Sequence, residues 1–380
     1  MKKVILSVAF MLASGAIFAQ SNESTVTQDG TSNQSVVSQT GLDNESVVSQ
    51  SGNVSALSGE ENTSDVMQLG QRNSADVLQR GDFNESVVSQ TGDENTATVN
   101  QGAASGQAEY NVATATQLGN GNTSTQTQRF DNNTASVNQE GDGNTATQFQ
   151  TSGPDGSAGN DATANQHGDD NTVDQRQEGH ENTAMATQGI NPSSYTATGN
   201  FASQSQVGDE NEAMISQSNQ NNDAYQYQIG DSNNATIWQD EIQPTINGGD
   251  LAVQYQEGDD NNATIDQGEN YLGAPYNAYA HGDNESYQAQ FGDDNTAYSK
   301  QSGTANLSGQ LQIGDGNNAS HTQVGNYNVA ATYQEGSENV SSISQLGIGN
   351  GALTIQLGDE HMSTVTQTGT GNISLVTQSN

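Results

Sequence analysis

One eleven-residue phrase, Asn-x-Ala/Ser-x-x-x-Gln-x-Gly-x-x, repeats from Asn22 to the end of this 380-residue chain. Nine successive glutamines, from Gln290 through Gln301, Gln312, Gln323, Gln334, Gln345, Gln356 and Gln367 to Gln378, keep that step without a break. About thirty copies occur, one of them degenerate around Tyr279. Self-similarity at a short fixed period is the mark of a stacked architecture, in which each unit buries its apolar face only against its neighbours. Any function is therefore expected to come from the repetition.

Only 30% of residues are apolar and 5% aromatic, with a mean hydropathy of −0.77 and a formal net charge of −38. Such polarity usually means disorder, but disordered linkers do not hold register over hundreds of residues. Lys2 and Lys3 precede an apolar run from Val4 to Phe18, ending at Ala19. That run is short for a membrane span and reads as a secretory signal peptide over 1–19, with the repeat domain over 20–380. Beyond it only Arg72, Arg80, Arg129, Arg176 and Lys300 oppose 45 acidic residues, so a nucleic-acid partner is excluded on charge. Cysteine is absent. An exported chain without disulfides must draw stability from something that grows with repetition.

In Asn261-Asn262-Ala263-Thr264-Ile265-Asp266-Gln267 alternate residues point to one face: Asn261, Ala263, Ile265 and Gln267 inward, Asn262, Thr264 and Asp266 outward. The period is two, so the phrase predicts a strand. Gly follows two residues after Gln, as in Gly314, Gly325, Gly336, Gly347 and Gly358, and Asp, Asn or Gly comes next, which predicts a tight corner. Extra residues fall near 52–61, 102–110, 151–159, 189–199, 240–249 and 268–283, always between the Gly and the next Asn, and Pro154, Pro192 and Pro244 sit in them. The predicted fold is all-β: an amyloid-like β-solenoid of stacked strand-turn-strand coils, about 22 residues per coil, stacked at about 4.8 Å. Inward amides are expected to bond to their copies above and below. The candidate ladder residues are Asn317, Ala319, Gln323, Asn328, Ala330, Gln334, Asn339, Ser341, Gln345, Asn350, Ala352 and Gln356, and the candidate corner residues are the five glycines above.

The stretch from Gln312 through Gly314, Asn317 and Ala319 to Gln323 carries Gln-x-Gly-x-x-Asn-x-Ala-x3-Gln, with Ser308 near its start, and it resembles the curlin repeat family. That family supplies the subunits of curli, secreted amyloid fibres of bacterial biofilms. The resemblance covers essentially all of the chain after the leader. This chain has several times more units than the familiar five-repeat subunits, and Asn occupies the slot where the family's Ser begins a repeat. Its repeat starts at Asn22, without the short segment that addresses the family's chains to their export channel. The resemblance implies a secreted structural subunit that self-assembles into fibres on the cell surface, for biofilm matrix, adhesion and cell aggregation. It also implies partners: other copies, a related nucleator or major subunit, an outer-membrane secretion channel, and host or abiotic surfaces. The first and last phrases look like interior ones, so terminal coils are expected to act as templates.

Rival readings share the fold. A monomeric adhesin or stalk, binding calcium weakly through acidic corners such as Gly168-Asp169-Asp170, Gly208-Asp209-Glu210 and Gly292-Asp293-Asp294, is the alternative. The acids equally fit a soluble surface whose charge slows premature stacking. An ice-binding face lacks a regular Thr-x-Thr row. No enzyme is expected: His167, His180, His281, His321 and His361 are scattered, with no ligand-spaced cluster and no nucleophile motif. No cofactor or metal site is predicted.

Overall fold

The computed structural model describes residues 21–52, 59–102, 108–153, 156–189, 197–239, 248–268 and 282–380. The predicted signal peptide, Pro154, Pro192, Pro244 and the degenerate unit around Tyr279 lie outside these residues.

Consecutive strands alternate between two parallel sheets. The first sheet runs from Glu23–Asp29 and Glu45–Ser51 through fifteen strands to Ile373–Ser379. The second runs from Gln34–Leu42 and Thr63–Gln71 to Met362–Thr370, with the two-residue strand Ala197–Thr198 pairing beside Asp161–Asp169. The chain is an all-β solenoid, as the alternation predicted. Alternating burial explains why the strands form: Leu307–Ile313 buries Ser308, Gln310 and Gln312 while its other residues face out, and Asn318–Asn326 buries Ala319, His321 and Gln323.

The glutamines at the strand ends pair like with like. Gln312 pairs with Gln334 and Gln334 with Gln356 in the first sheet, and Gln323 pairs with Gln345 in the second. Where a corner is lengthened the register absorbs it, as between Gln139 and Gln166, which are still direct partners. A one-residue slip would turn every inward side chain out, so the pattern fixes the register strongly. Lengthened corners after Ser51, Gln101 and Thr151 lead from the first sheet to the second, and those after Gln188, Gln239 and Asp266 lead back. The longer connections therefore run from the first sheet to the second early in the chain and from the second to the first later.

The core between the sheets is thin and takes two slots per strand. The slot after the Asn is small: Ala75, Ala97, Ala146, Ala263 and Ala319 are fully or almost fully buried there. Ser46, Ser64 and Ser86 fill the same slot with hydroxyls that find no hydrogen-bond partner, so it selects for size. The next inward slot carries Val48, Val66, Val77, Ile215, Ile237 and Ile265, each contributing roughly 1.5–3 kcal/mol by burial.

Candidate functional site

Both amide columns are built from the backbone up. The Asn ahead of each strand closes the corner: Asn339 donates its backbone N–H and its Nδ2 to Asn317 Oδ1 at 3.1 and 3.0 Å, and a second Nδ2 hydrogen to Gly358 O at 2.7 Å. Asn317 bonds likewise to Asn295 and to Gly336 O, Asn328 to Asn306 and Gly347 O, and Asn350 to Asn328 and Gly369 O. The side-chain amide is thus fully used, which a buried amide requires. Gln at the far end of the strand points the other way along the stack. Gln334 Nε2 donates to Gln356 Oε1 at 2.9 Å and across the core to Asn318 O at 3.0 Å, and Gln323 does the same with Gln345 and Leu307 O. Ala319, Ala330, Ser341 and Ala352 sit between the two columns as the small slot, with Ser341 hydrogen-bonded to Thr332 at 3.0 Å.

A third amide column is not apparent in the single phrase. In the first sheet the middle inward slot holds Gln126, Gln148, Gln175, Gln204, Gln226, Gln254, Gln288 and Gln310, linked in series at 2.8–3.1 Å. Each also donates to a backbone carbonyl of the second sheet, as Gln226 does to Met214 O at 2.9 Å. The signal was a Gln-x-Gln in alternate units, such as Gln226-Tyr227-Gln228, and it becomes visible only when units are read in pairs. The two strands of a coil are therefore less alike than a single phrase suggests.

The corners have two distinct backbone demands. At the Gly two after Gln, φ is +106° at Gly314, +114° at Gly325, +119° at Gly336, +133° at Gly347 and +114° at Gly358. A methyl group there would meet the carbonyl oxygen of the next corner's Gly, 2.0 Å away for Gly325 and 1.8 Å for Gly347, so glycine is needed for conformation and for space. The residue just before most of these asparagines is also left-handed, but it need not be Gly. Phe83, Ala305, Tyr327 and Glu338 occupy it at φ 53–58°, and Phe83 stacks on Tyr110 of the neighbouring coil at 4.9 Å, which offsets part of the strain.

Corner carboxylates also bond along the stack. Asp209 N–H donates to Asp231 Oδ1, Asp231 N–H to Asp259 Oδ1, and Asp259 N–H to Asp293 Oδ1, all at 2.9 Å. Among the described residues no group of three or more His, Asp or Glu side chains is placed to hold a metal ion.

Asp250 stands where every neighbouring coil has Asn. It is buried, accepts Asn284 N–H at 2.8 Å and Nδ2 at 3.0 Å, and gives its own N–H to Asn222 Oδ1 at 3.1 Å. Burial pushes its carboxyl up from 3.8 to about 6, helped by the Asp283 charge and opposed by the Asn284 bonds. The folded state holds this proton more tightly than the unfolded state. The stabilisation is thus complete below about pH 4 and is lost as pH rises through about 6. Asp250→Asn is expected to gain up to roughly 3 kcal/mol at pH 7 and little at pH 4. Denaturant unfolding at the two pH values checks this, and an equal gain at both would contradict it.

Two parallel sheets closed on each other by tight corners, with buried amides bonded rung to rung, define a β-solenoid whose interior is a polymer of side-chain amides. The family model for the curlin associated repeat matches residues 19–52, 70–102 and 208–240. The chain thus carries curlin associated repeats, a repeat that suggests a curli-type structural subunit. No curated protein matches it.

Proposed function

We propose that the chain is a secreted fibre subunit that assembles by stacking the last coil of one molecule on the first coil of the next. The observation that carries this reading is the direction of the amide columns. At one end of the described stack Gln367 and Gln378 donate only to the backbone carbonyls of Gly351 and Met362, so each retains an Nε2 hydrogen, and Asn372 retains its Oδ1 as acceptor. The inward Val365, Gln367, Ser374 and Val376 line an open cleft there. At the other end Gln28 and Gln39 already donate to Gln50 and Gln68, which leaves their Oε1 atoms as acceptors, while Asn22 and Asn33 have Nδ2 hydrogens to give. When copies stack head to tail, donor meets acceptor in both glutamine columns and in the asparagine column of the first sheet, while in the second sheet His361 takes the last Asn place. Joining two like ends with their strands parallel sets donor against donor in one kind of column and acceptor against acceptor in the other. Unpaired strand edges template further strands.

The extracellular matrix of a bacterial surface is the setting that fits a curlin-repeat subunit with a leader like that over 1–19. Export would use an outer-membrane channel, and a related nucleator or major subunit would be the natural co-partner. A structural role, without catalysis, follows from the same scaffold.

The test takes the chain over residues 20–380 from denaturant into buffer, with fibre diffraction on the product. Reflections near 4.7 and 10 Å, and a lag removed by preformed seeds, are the expected result. A folded β-rich monomer that persists at high concentration and ignores seeds would give the role to the adhesin or stalk reading.

A further inference from the structure

The outward face of the first sheet changes character along the chain. From Phe201–Val207 to Ile373–Ser379, eight successive strands present two central outward columns, the third and fifth residues of each strand. These columns contain no charged residue and include Tyr225, Tyr227, Tyr255, Leu311, Tyr333 and Ile355. Tyr227 is 39% exposed and Leu353 38%. Acids occur only in the marginal columns, and there they take up the tyrosine hydroxyls: Tyr255 donates to Glu257 at 2.8 Å and Tyr333 to Glu335 at 2.7 Å. The rings are left to face outward.

Strand formation alone does not call for this. On the second sheet over the same length the equivalent columns hold mostly Thr and Ser, as at Thr236, Thr322 and Ser344, together with the Lys300–Asp266 ion pair at 2.7 Å. Earlier in the first sheet the columns carry Asp76, Asp174 and Arg176. In a chain of net charge −38, one flat uncharged apolar face is a place where two molecules can approach without carboxylate repulsion.

We propose that this face packs against the same face of a second copy, sheet on sheet. Eight strands at about 4.8 Å and seven residues at about 3.3 Å give a face on the order of 900 Å² per copy, of which the uncharged central strip is roughly half and the acid-bearing marginal columns form the polar rim. A second copy also has the same rise per coil, so side-chain rows that mesh at one rung mesh at all eight. A partner of any other pitch falls out of step. The contact is self-complementary and requires only a two-fold axis. It is independent of whether the solenoids also join end to end.

The test compares the wild-type chain over 20–380 with Tyr227→Asp/Leu311→Asp/Ile355→Asp and with the charge-matched control Thr236→Asp/Thr322→Asp/Ser344→Asp on the other sheet. In fibres, mass per length should be two chains per roughly 72 Å (fifteen rungs at about 4.8 Å) for wild type and control, and one chain for the face variant. If no fibres form, sedimentation reads the pairing by itself: dimers for wild type and control, monomers for the face variant. Single-width wild-type fibres, a monomeric wild type, or equal behaviour of the two variants overturns the proposal. Because charges could also disturb folding, a spin label on Leu311→Cys in this cysteine-free chain gives a second reading. Leu311 lies near the middle of the face, so paired copies bring the labels within a few tens of ångströms, whereas stacked copies keep them roughly 72 Å apart. Absence of a short distance has the same meaning as single-width fibres.

Discussion

Gly325→Ala is expected to split the solenoid's unfolding into two transitions. The alanine methyl would lie 2.0 Å from Gly347 O, and the backbone sits at φ +114°. Gly325 and Gly347 are direct rung partners, and Asn328 Nδ2 donates to the clashing Gly347 O at 3.0 Å, so moving that carbonyl away loosens both a rung and an amide column. The conformational term alone is about 1–3 kcal/mol, and the bonds given up bring the loss to roughly 3 kcal/mol or more. In a stack that couples only nearest neighbours, that loss is felt at one interface, and the two sides can then melt separately. Gly349→Ala is the matched comparison: φ is +65°, nothing lies within 4 Å of the added methyl, and the cost should be about 1 kcal/mol. Denaturant unfolding with hydrogen exchange reads both. Equal losses at the two positions would show that the close approach of successive corners is not what demands glycine.

The second large effect is expected from acid, at His321. This side chain replaces the aliphatic residue that fills the middle slot at Ile265 and Ile343, and it is completely buried. Nδ1 lies 2.9 Å from Ser308 Oγ, Nε2 lies 2.8 Å from Thr332 Oγ1, and Thr332 in turn meets Ser341. This relay begins where the third glutamine column stops, at Gln310, so the hydroxyls and the imidazole continue its polar function with other groups. Burial lowers the imidazole's pKa from 6.5 to about 3. Unfolded chain takes up the proton near pH 6.5 and the folded coil refuses it until about pH 3. The stabilisation is therefore full above 6.5 and falls with pH at about 1.4 kcal/mol per unit, a loss of roughly 3 kcal/mol at pH 4.5. Hydrogen exchange over Asn318–Asn326 and Val340–Ile348 should show protection falling with acid. In His321→Ile/Ser308→Ala/Thr332→Val the slope should vanish, the two hydroxyl changes preventing orphaned donors. A slope that survives this replacement would place the acid sensitivity elsewhere. Acid thus acts in opposite senses on two stretches of one stack, strengthening the coil of Asp250 and weakening that of His321.

The sequence exposed the strand and the corner because both are single-phrase properties. Alternation about Ala263 and Ile265 sets the inward face, and the Gly two residues after Gln, such as Gly325 after Gln323, marks a backbone that only Gly adopts. What stayed hidden depends on which strand lies over which. The Gln126-to-Gln310 column and the apolar face around Tyr227 and Leu311 belong to one sheet only, and an eleven-residue reading averages the two sheets together. The corner aspartates were read as surface charge, since nothing local shows that Asp231 accepts the N–H of Asp209 from another coil. The left-handed residue before each Asn was obscured by its chemical variety: Tyr327, Glu338 and Ala305 share a conformation and no side-chain property.

The opposed amide columns carry an electrical consequence. In each asparagine column the side-chain carbonyls point toward later coils, and in each glutamine column at the strand ends they point toward earlier ones. A stack of aligned amides would otherwise build terminal partial charges, as the peptide units of a helix do. Here two columns in each direction cancel through most of the length, and only the Gln126-to-Gln310 column is left without a counterpart. The four strand-end columns are therefore close to dipole-neutral at any number of coils, so lengthening the solenoid by coils that carry only these adds bonds without adding a field at its ends.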